Sequence, residues 1–344
     1  MQRRRLGNSQ VEVTTLGLGG TALGNIYSAI TDEAARETIG EALAGGVNWF
    51  DTSPCYGVGL SETRLGLVLP AVPRDSFLLS TKVGYMLEPL PPGVAAEPMI
   101  WADPPPFSLH YDFTYDAAMR SIEGSLLRLG LDRLDMVSIH DPDQTAGADP
   151  NAPDPYAASR FDEAMGGAYK ALHALREQGV IGAIGVGMNQ WRMLVDFAHA
   201  GDFDFFLCAG RYNLLFHDAW AELMPLCAQK DISVIIGGPY ASGILGSGAV
   251  EGAPYFYQPA PPDIMEKVRR IERVCADFGI SLRAAALHWP LRHRAVASVI
   301  PGSRSRTEMS QNIAALDESV SDAFWTALSE QALVDPAAMA ATGY

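Results

Sequence analysis

The sequence predicts an α/β protein: a (β/α)8 TIM barrel with an N-terminal β-hairpin and a long lid loop after strand three. Three observations carry this reading. Eight apolar runs recur along the 344 residues, amphipathic segments with 3.6-residue spacing separate them, and no interior linker rich in Pro, Gly or charge splits the chain. Strands that are apolar throughout belong to parallel sheets covered by helices, and eight such units suit a closed barrel better than an open sheet. One domain over residues 1–344 is therefore expected.

Taken in order, the hairpin lies in "RRRLGNSQVEVTT", turning at Gly7 and Asn8. Strands one to four are "TLGLGG" (15–20), "VNWFD" (47–51), "FLLSTK" (77–82) and "LDMVSIH" (134–140). Strands five to eight are "IGAIGVG" (181–187), "FDFFLCAG" (203–210), "ISVIIGG" (232–238) and "VASVIPG" (296–302). Helices are expected in "TDEAARETIGEALAGG", "SETRLGLVL", "YDAAMRSIEGSLLRLG", "FDEAMGGAYKALHALREQG", "NQWRMLVDFAHAG", "AELMPLCAQK" and "DIMEKVRRIERVCADFG". Thr31 opens the first of these on an acidic turn, and several end at Gly. His288 and Trp289 fall on an apolar helical face and read as core. The Pro-rich stretch 87–113 follows strand three, where a barrel carries a lid over its active-site face.

Composition narrows the function. A formal charge of −15 argues against phosphate-backbone binding, so nucleic acid is not an expected partner. Cys55, Cys208, Cys227 and Cys275 show no metal-like or disulfide-like spacing and read as reduced thiols. No apolar run is long enough to span a membrane, and no export signal is visible; a cytoplasmic protein is expected.

Barrel active sites lie at the C-terminal ends of the strands. Asp51 ends strand two with Tyr56 just beyond it, Lys82 ends strand three and His140 ends strand four. Singly, each has a structural reading: a helix cap, a packed ring, a solvated strand end, a turn histidine. Together they make a proton-transfer centre. A nearby ammonium lowers a phenol's pKa, a carboxylate pairs a buried lysine, and an imidazole orients or relays. With no covalent nucleophile in the set, hydride transfer with acid–base help is the expected chemistry. His140 with Asp141 and Asp143 could form a metal site, but a capped turn explains those aspartates better, and no metal is expected. The glycines of "GLGGTA" resemble a dinucleotide fingerprint, yet Ala22 and Asp51 are 29 positions apart and no helix opens on the glycines, where the fingerprint needs about 20.

"FDTSPCYG", "LLSTKVG" and "DMVSIHDPD" resemble the aldo-keto reductase family, and the likeness extends through "ALREQGVIGAIGVG" and "VIPGSRSRTEMSQN". The resemblance implies that Tyr56 is the general acid/base, Lys82 lowers its pKa, Asp51 supports Lys82 and His140 orients the substrate oxygen. It also implies a nicotinamide dinucleotide held by Ser303, Arg304, Gln311 and Asn312, with Asn189 at the carboxamide. Gly302 and Glu308 stand where many NADPH-preferring relatives carry Lys and Arg, which favours NAD; Arg304 or Arg306 leaves NADP open. Gly237 falls near the ring-stacking position, followed by Tyr240. The branch resembled contains aldose 1-dehydrogenases and pyridoxal 4-dehydrogenases, which oxidise a cyclic hemiacetal to a lactone. Expected substrates are accordingly an aldose such as L-fucose, D-arabinose or L-galactose, or pyridoxal, with Tyr27, Trp101 and Trp191 lining the pocket. A barrel that binds cofactor for regulation, without turnover, is the reading from another class.

Overall fold

The computed structural model describes residues 1–96, 100–143, 159–255 and 258–341. Strands Arg3–Arg5 and Glu12–Thr14 form the expected antiparallel hairpin. Gly7 turns it at φ +51°, where a Cβ would lie 2.5 Å from the Asp204 carbonyl oxygen, so conformation and close approach both require glycine. Leu6, Val11 and Val13 of the hairpin pack with Trp49, Met136, Phe205 and Ile235 and plug one end of the barrel.

The eight barrel strands are β1 (Leu18–Gly19), β2 (Trp49–Asp51), β3 (Leu78–Val83), β4 (Met136–His140), β5 (Ala183–Met188), β6 (Phe205–Ala209), β7 (Ser233–Gly237) and β8 (Val296–Ile300). Each pairs in parallel with its sequence neighbour. Parallel bridges from Leu16 to Val299 and from Gly19 to Gly302 bring the last strand back to the first. The helices pack outside, and a second core of buried residues fills the space between them and the strands. Thr31 caps the first helix as expected, its hydroxyl accepting from the Ala34 amide at 3.1 Å.

Strand alternation aims the chemistry. Successive side chains of a strand point to opposite faces, so each strand offers the barrel interior every second residue. In β2 Trp49 belongs to the inner core and Phe50 to the outer one, which turns Asp51 inward. In β3 Leu79 and Val83 pack outward, leaving Ser80 and Lys82 inside. In β4 Val137 and Ile139 pack outward against the helices, while Met136 lies in the inner core with Ser138 and His140 above it. Apolar residues thus fill the plugged end and polar ones the open end.

Three features depart from the expected elements. The helix expected over 161–179 breaks into Phe161–Gly166 and Ala168–Glu177, because the chain at Gly167 is pressed onto a neighbour: a Cβ there would stand 2.3 Å from the Phe113 carbonyl oxygen. The lid stretch begins and ends in an antiparallel ribbon, Tyr85–Pro89 against Phe107–Tyr111. Helices also form at Leu282–Leu291, Arg306–Asp317, Asp322–Glu330 and Pro336–Ala341, none of them among the seven expected segments. Trp289 is core as expected, whereas His288 is only half-buried.

Among the described residues no helix is long and apolar enough to cross a membrane.

Candidate active site

The open end of the barrel gathers the four predicted residues. Lys82 and Asp51 are 1% and 2% exposed, and their side chains meet at 2.6 Å between Nζ and Oδ2. Nζ also donates to the Thr52 carbonyl oxygen at 2.8 Å. A buried charge of either sign is costly alone; each supplies the other's compensation. Burial raises the Asp51 carboxyl above its ordinary range, and the ammonium pulls it back.

Tyr56 stands on the turn that leaves β2. Its amide donates to the Ser53 carbonyl at 3.0 Å, and its own carbonyl accepts from the Ser61 amide at 3.1 Å at the start of helix Leu60–Gly66. The following Gly57 has φ +63°, and a Cβ on it would meet the Gly24 carbonyl oxygen at 2.4 Å. The loops after β1 and β2 therefore touch backbone to backbone, which fixes where the phenol points. Lys82 Nζ lies 4.5 Å from the Tyr56 ring centroid, and the His140 ring stands perpendicular to it at 5.6 Å.

His140 is buried, with Nδ1 2.9 Å from Ser53 Oγ and Nε2 3.7 Å from Asp141 Oδ2. Burial, and then the Lys82 ammonium, hold its pKa well below the ordinary histidine range. The ring is neutral at neutral pH. Asp141 shows the opposite displacement: burial and the nearby Asp143 push its carboxyl well up, partly offset by Lys82 and by a hydrogen bond from Tyr85. Cys55, on the same turn, is pushed up to about 12 by burial and Asp141, so it is a thiol.

The lid closes over this centre. Trp101 pairs with Ile26 across an antiparallel bridge and packs on Tyr56 with centroids 5.9 Å apart. Tyr85, at the root of the lid ribbon, contacts the His140 ring at 5.1 Å, and its hydroxyl meets that of Tyr111 at 2.8 Å. Buried Arg64 holds the facing loop, bonding the Leu23 and Ile30 carbonyls at 2.7 and 2.6 Å, the Asn25 side chain at 2.7 Å and Asp32 at 2.9 Å. Tyr27 lies on that loop at φ +65°, and its amide donates to the Ile100 carbonyl of the lid at 2.9 Å; the residue is 48% exposed. Trp191 is set apart: it packs half-buried on the outer core under the Arg192 guanidinium, 5.2 Å from its ring.

The predicted cofactor residues divide. Ser303 and Asn312 are buried together after β8, Asn312 Nδ2 donating to Ser303 Oγ at 3.0 Å. Asn312 Oδ1 accepts from the Tyr240 hydroxyl at 2.6 Å and from Arg283 at 3.0 Å, so this amide positions a half-buried guanidinium that also lies 5.1 Å from the Tyr240 ring. Tyr240 is thereby tied down beside the strand-eight loop. Arg304 donates to the Ser28 carbonyl at 3.1 Å, Arg306 to Glu41 at 2.9 Å, and Gln311 faces solvent. Ser305 caps helix Arg306–Asp317, and the Glu308 carboxylate accepts from the Arg304 amide at 2.8 Å. Asn189 has an exposed side chain and a carbonyl bonded to Arg211 at 2.9 Å; the cap of the next helix comes instead from Gln190, whose Oε1 accepts from the Met193 amide at 3.1 Å.

Ser53, Tyr85, Tyr111 and Arg283 carry no expectation from the sequence, whereas Asp141 was named there only as a metal-ligand candidate and Tyr240 only as following the ring-stacking position. For Ser53 a signal existed, since it lies on the turn between Asp51 and Tyr56; Tyr85, Tyr111 and Arg283 reach the site only through the fold.

A (β/α)8 barrel with proton-handling groups converged at the C-terminal ends of its strands has the arrangement of a barrel enzyme, a class that spans many chemistries. The Aldo/keto reductase family profile matches residues 15–332; the chain belongs to that family and is an NAD(P)-dependent oxidoreductase. It is 33% identical to pyridoxal 4-dehydrogenase of Microbacterium luteolum, covering 97% of this chain and 98% of that one. It is 32% identical to D-threo-aldose 1-dehydrogenase of a Pseudomonas species, over 94% and 95% of the two chains. In fold it is similar to the holo form of an aldo-keto reductase from Bacillus halodurans, with a TM-score of 0.72 and 23% identity over 100% of this chain and 98% of the other.

Proposed function

We propose that this chain oxidises the anomeric carbon of a cyclic aldose hemiacetal to a lactone, with Tyr56 as the general base. One observation carries the reading: the buried Lys82 ammonium, held by Asp51 at 2.6 Å, lies 4.5 Å from the centre of the Tyr56 ring. A fixed positive charge so near stabilises the phenolate over the phenol. Tyr56 then takes the hemiacetal proton, and Asp51 keeps the ammonium in place. Neutral His140 hydrogen-bonds the reacting oxygen and sets the hemiacetal's orientation. A nicotinamide held there would supply the acceptor for the hydride of the same carbon, so that loss of that hydride and of the hydroxyl proton would leave a C=O double bond.

The donors gathered around the loop that follows β8 fit such a group. Arg283, Arg304 and the strand-eight loop offer cationic and amide donors for a diphosphate at a helix start, as this fold commonly uses them. Glu308 supports NAD over NADP. Its carboxylate sits in the first turn of helix Arg306–Asp317, where it repels a further phosphate, and Arg306 is paired with Glu41. Trp101 gives the pocket an apolar face, while Asp141, Tyr85 and Tyr111 give it a hydrogen-bonding one. That mixture suits a ring bearing hydroxyls. Pyridoxal, whose hemiacetal reacts in the same way, is the second reading, favoured by the 33% identical relative.

The test is turnover with NAD+ and NADP+ on L-fucose, D-arabinose, L-galactose and pyridoxal. Lactone from an aldose with NAD+ is expected; tight cofactor binding with no turnover on any of the four would point instead to a regulatory barrel. Tyr56→Phe should lower kcat by about 10²–10⁴-fold and leave cofactor affinity unchanged.

A further inference from the structure

Ser53 has no exposed surface, and its hydroxyl oxygen has two polar neighbours. The Cys55 amide lies 3.1 Å away and His140 Nδ1 lies 2.9 Å away. The amide only donates, so it occupies one lone pair of Oγ. A hydroxyl carries a single proton, and when buried that proton needs an acceptor. Among the described residues, the one acceptor in hydrogen-bond contact with Ser53 Oγ is His140 Nδ1. If Nδ1 carried the ring proton, two donors would face the oxygen and the hydroxyl proton would be left with nothing to bond. A neutral imidazole that accepts at Nδ1 must carry its proton at Nε2. On that side Asp141 Oδ2, at 3.7 Å, is too far to take the bond, and the ring stands edge-on to Tyr56.

We propose that Ser53 is the positioning residue of His140: its hydroxyl donates to Nδ1, fixes the Nε2–H tautomer, and so turns a hydrogen-bond donor toward the substrate oxygen beside the Tyr56 phenol. The neutrality this needs agrees with the burial of the ring and its closeness to the Lys82 ammonium. The turn sequence therefore serves both partners of the proton transfer. Ser53 sets the imidazole and, through its carbonyl, which accepts from the Tyr56 amide at 3.0 Å, it also anchors the phenol's backbone.

The kinetic part of the proposal rests on the role given to His140 above; the tautomer does not. Full-length protein labelled with 15N-histidine gives two-bond proton–nitrogen spectra that distinguish a pyrrole-type from a pyridine-type nitrogen, with His140 assigned through a His140→Gln variant. The expected result at pH 7 is a pyridine-type Nδ1 and a pyrrole-type Nε2 for His140. Ser53→Ala should produce a mixture of the two tautomers and lower kcat about tenfold or more with a smaller change in KM, and Ser53→Thr, which keeps the hydroxyl, should restore both. A pyrrole-type Nδ1 in the unmodified protein would overturn the proposal, whether or not any aldose is oxidised. So would a Ser53→Ala spectrum unchanged from that of the parent. Failure to oxidise any aldose, with the tautomer as expected, would sink the functional reading and leave Ser53's role standing.

Discussion

At the scale of single residues, the Asp51–Lys82 pair is where stability and chemistry meet. Replacing Lys82 by Met keeps much of the side chain's volume but leaves a carboxylate with 2% exposure facing no cation. The cost should be about 3–5 kcal/mol, read as a lowered urea midpoint, because the remaining charge is buried and uncompensated. Adding Asp51→Asn should recover a large part of that loss while turnover stays absent, separating the two roles. If Lys82→Met unfolded at the parent's midpoint, the pair would not be the buried electrostatic unit described here. The same residues show what was legible in the sequence. Asp51, Lys82 and His140 are polar residues ending apolar runs, and alternation along each strand turns them inward. Tyr85 and Arg283 carry no comparable local sign: Arg283 reaches Asn312 from another helix, and Tyr85 reaches His140 from the lid.

Elements hold these residues in place through close backbone contacts, and glycine is the price at one of them. Gly57 combines φ +63° with a Cβ position 2.4 Å from the Gly24 carbonyl oxygen. Gly57→Ala must therefore both strain the backbone and push the loops after β1 and β2 apart. A destabilisation of about 2–3 kcal/mol is expected, with a fall in kcat, since Tyr56 is the preceding residue. Unchanged denaturation and kinetics in this variant would show that the loops can separate freely. Elements defined by their own sequence were readable: six barrel strands lie within their apolar runs, the third and fifth run one residue past theirs to Val83 and Met188, and Thr31 caps the helix it was expected to cap. Elements defined by a distant neighbour were not. The helix break at Gly167 is imposed by the Phe113 carbonyl, and the proline-rich lid becomes a ribbon because Tyr85–Pro89 finds Phe107–Tyr111 across it. Pattern along a chain records which face is buried; it does not record what presses on a given backbone atom.

Across the whole molecule, burial of titratable groups ties stability to pH, and the sign differs between kinds of group. His217 and His293 are both lowered to about 4 from 6.5, chiefly by burial. Each is neutral in the folded chain and takes up a proton in the unfolded chain once the pH drops below 6.5, so the stability it contributes is complete above that value and is lost as pH falls toward 4. Asp141, Asp143 and Asp204 are raised above 3.8, again with burial as the first cause. They bind protons more tightly when folded, and the stability they give is lost as pH rises through their folded values. Because the two windows overlap, a single stability curve does not separate them, whereas a variant that removes one histidine does. His293 is the clearest choice: it is 4% exposed, its Nδ1 accepts from the Ala295 amide at 3.2 Å, and it lies far along the chain from the four proposed catalytic residues. Between pH 7 and pH 5 the parent protein should lose about 1–2 kcal/mol more stability than His293→Gln, measured by urea unfolding at both values. The carboxyl contributions are common to both proteins, as is the formal charge of −15 at pH 7, and they cancel in that difference. Equal losses in the two would mean that His293 titrates in the folded state as it does in the unfolded one, and that its burial carries no pH-dependent stability.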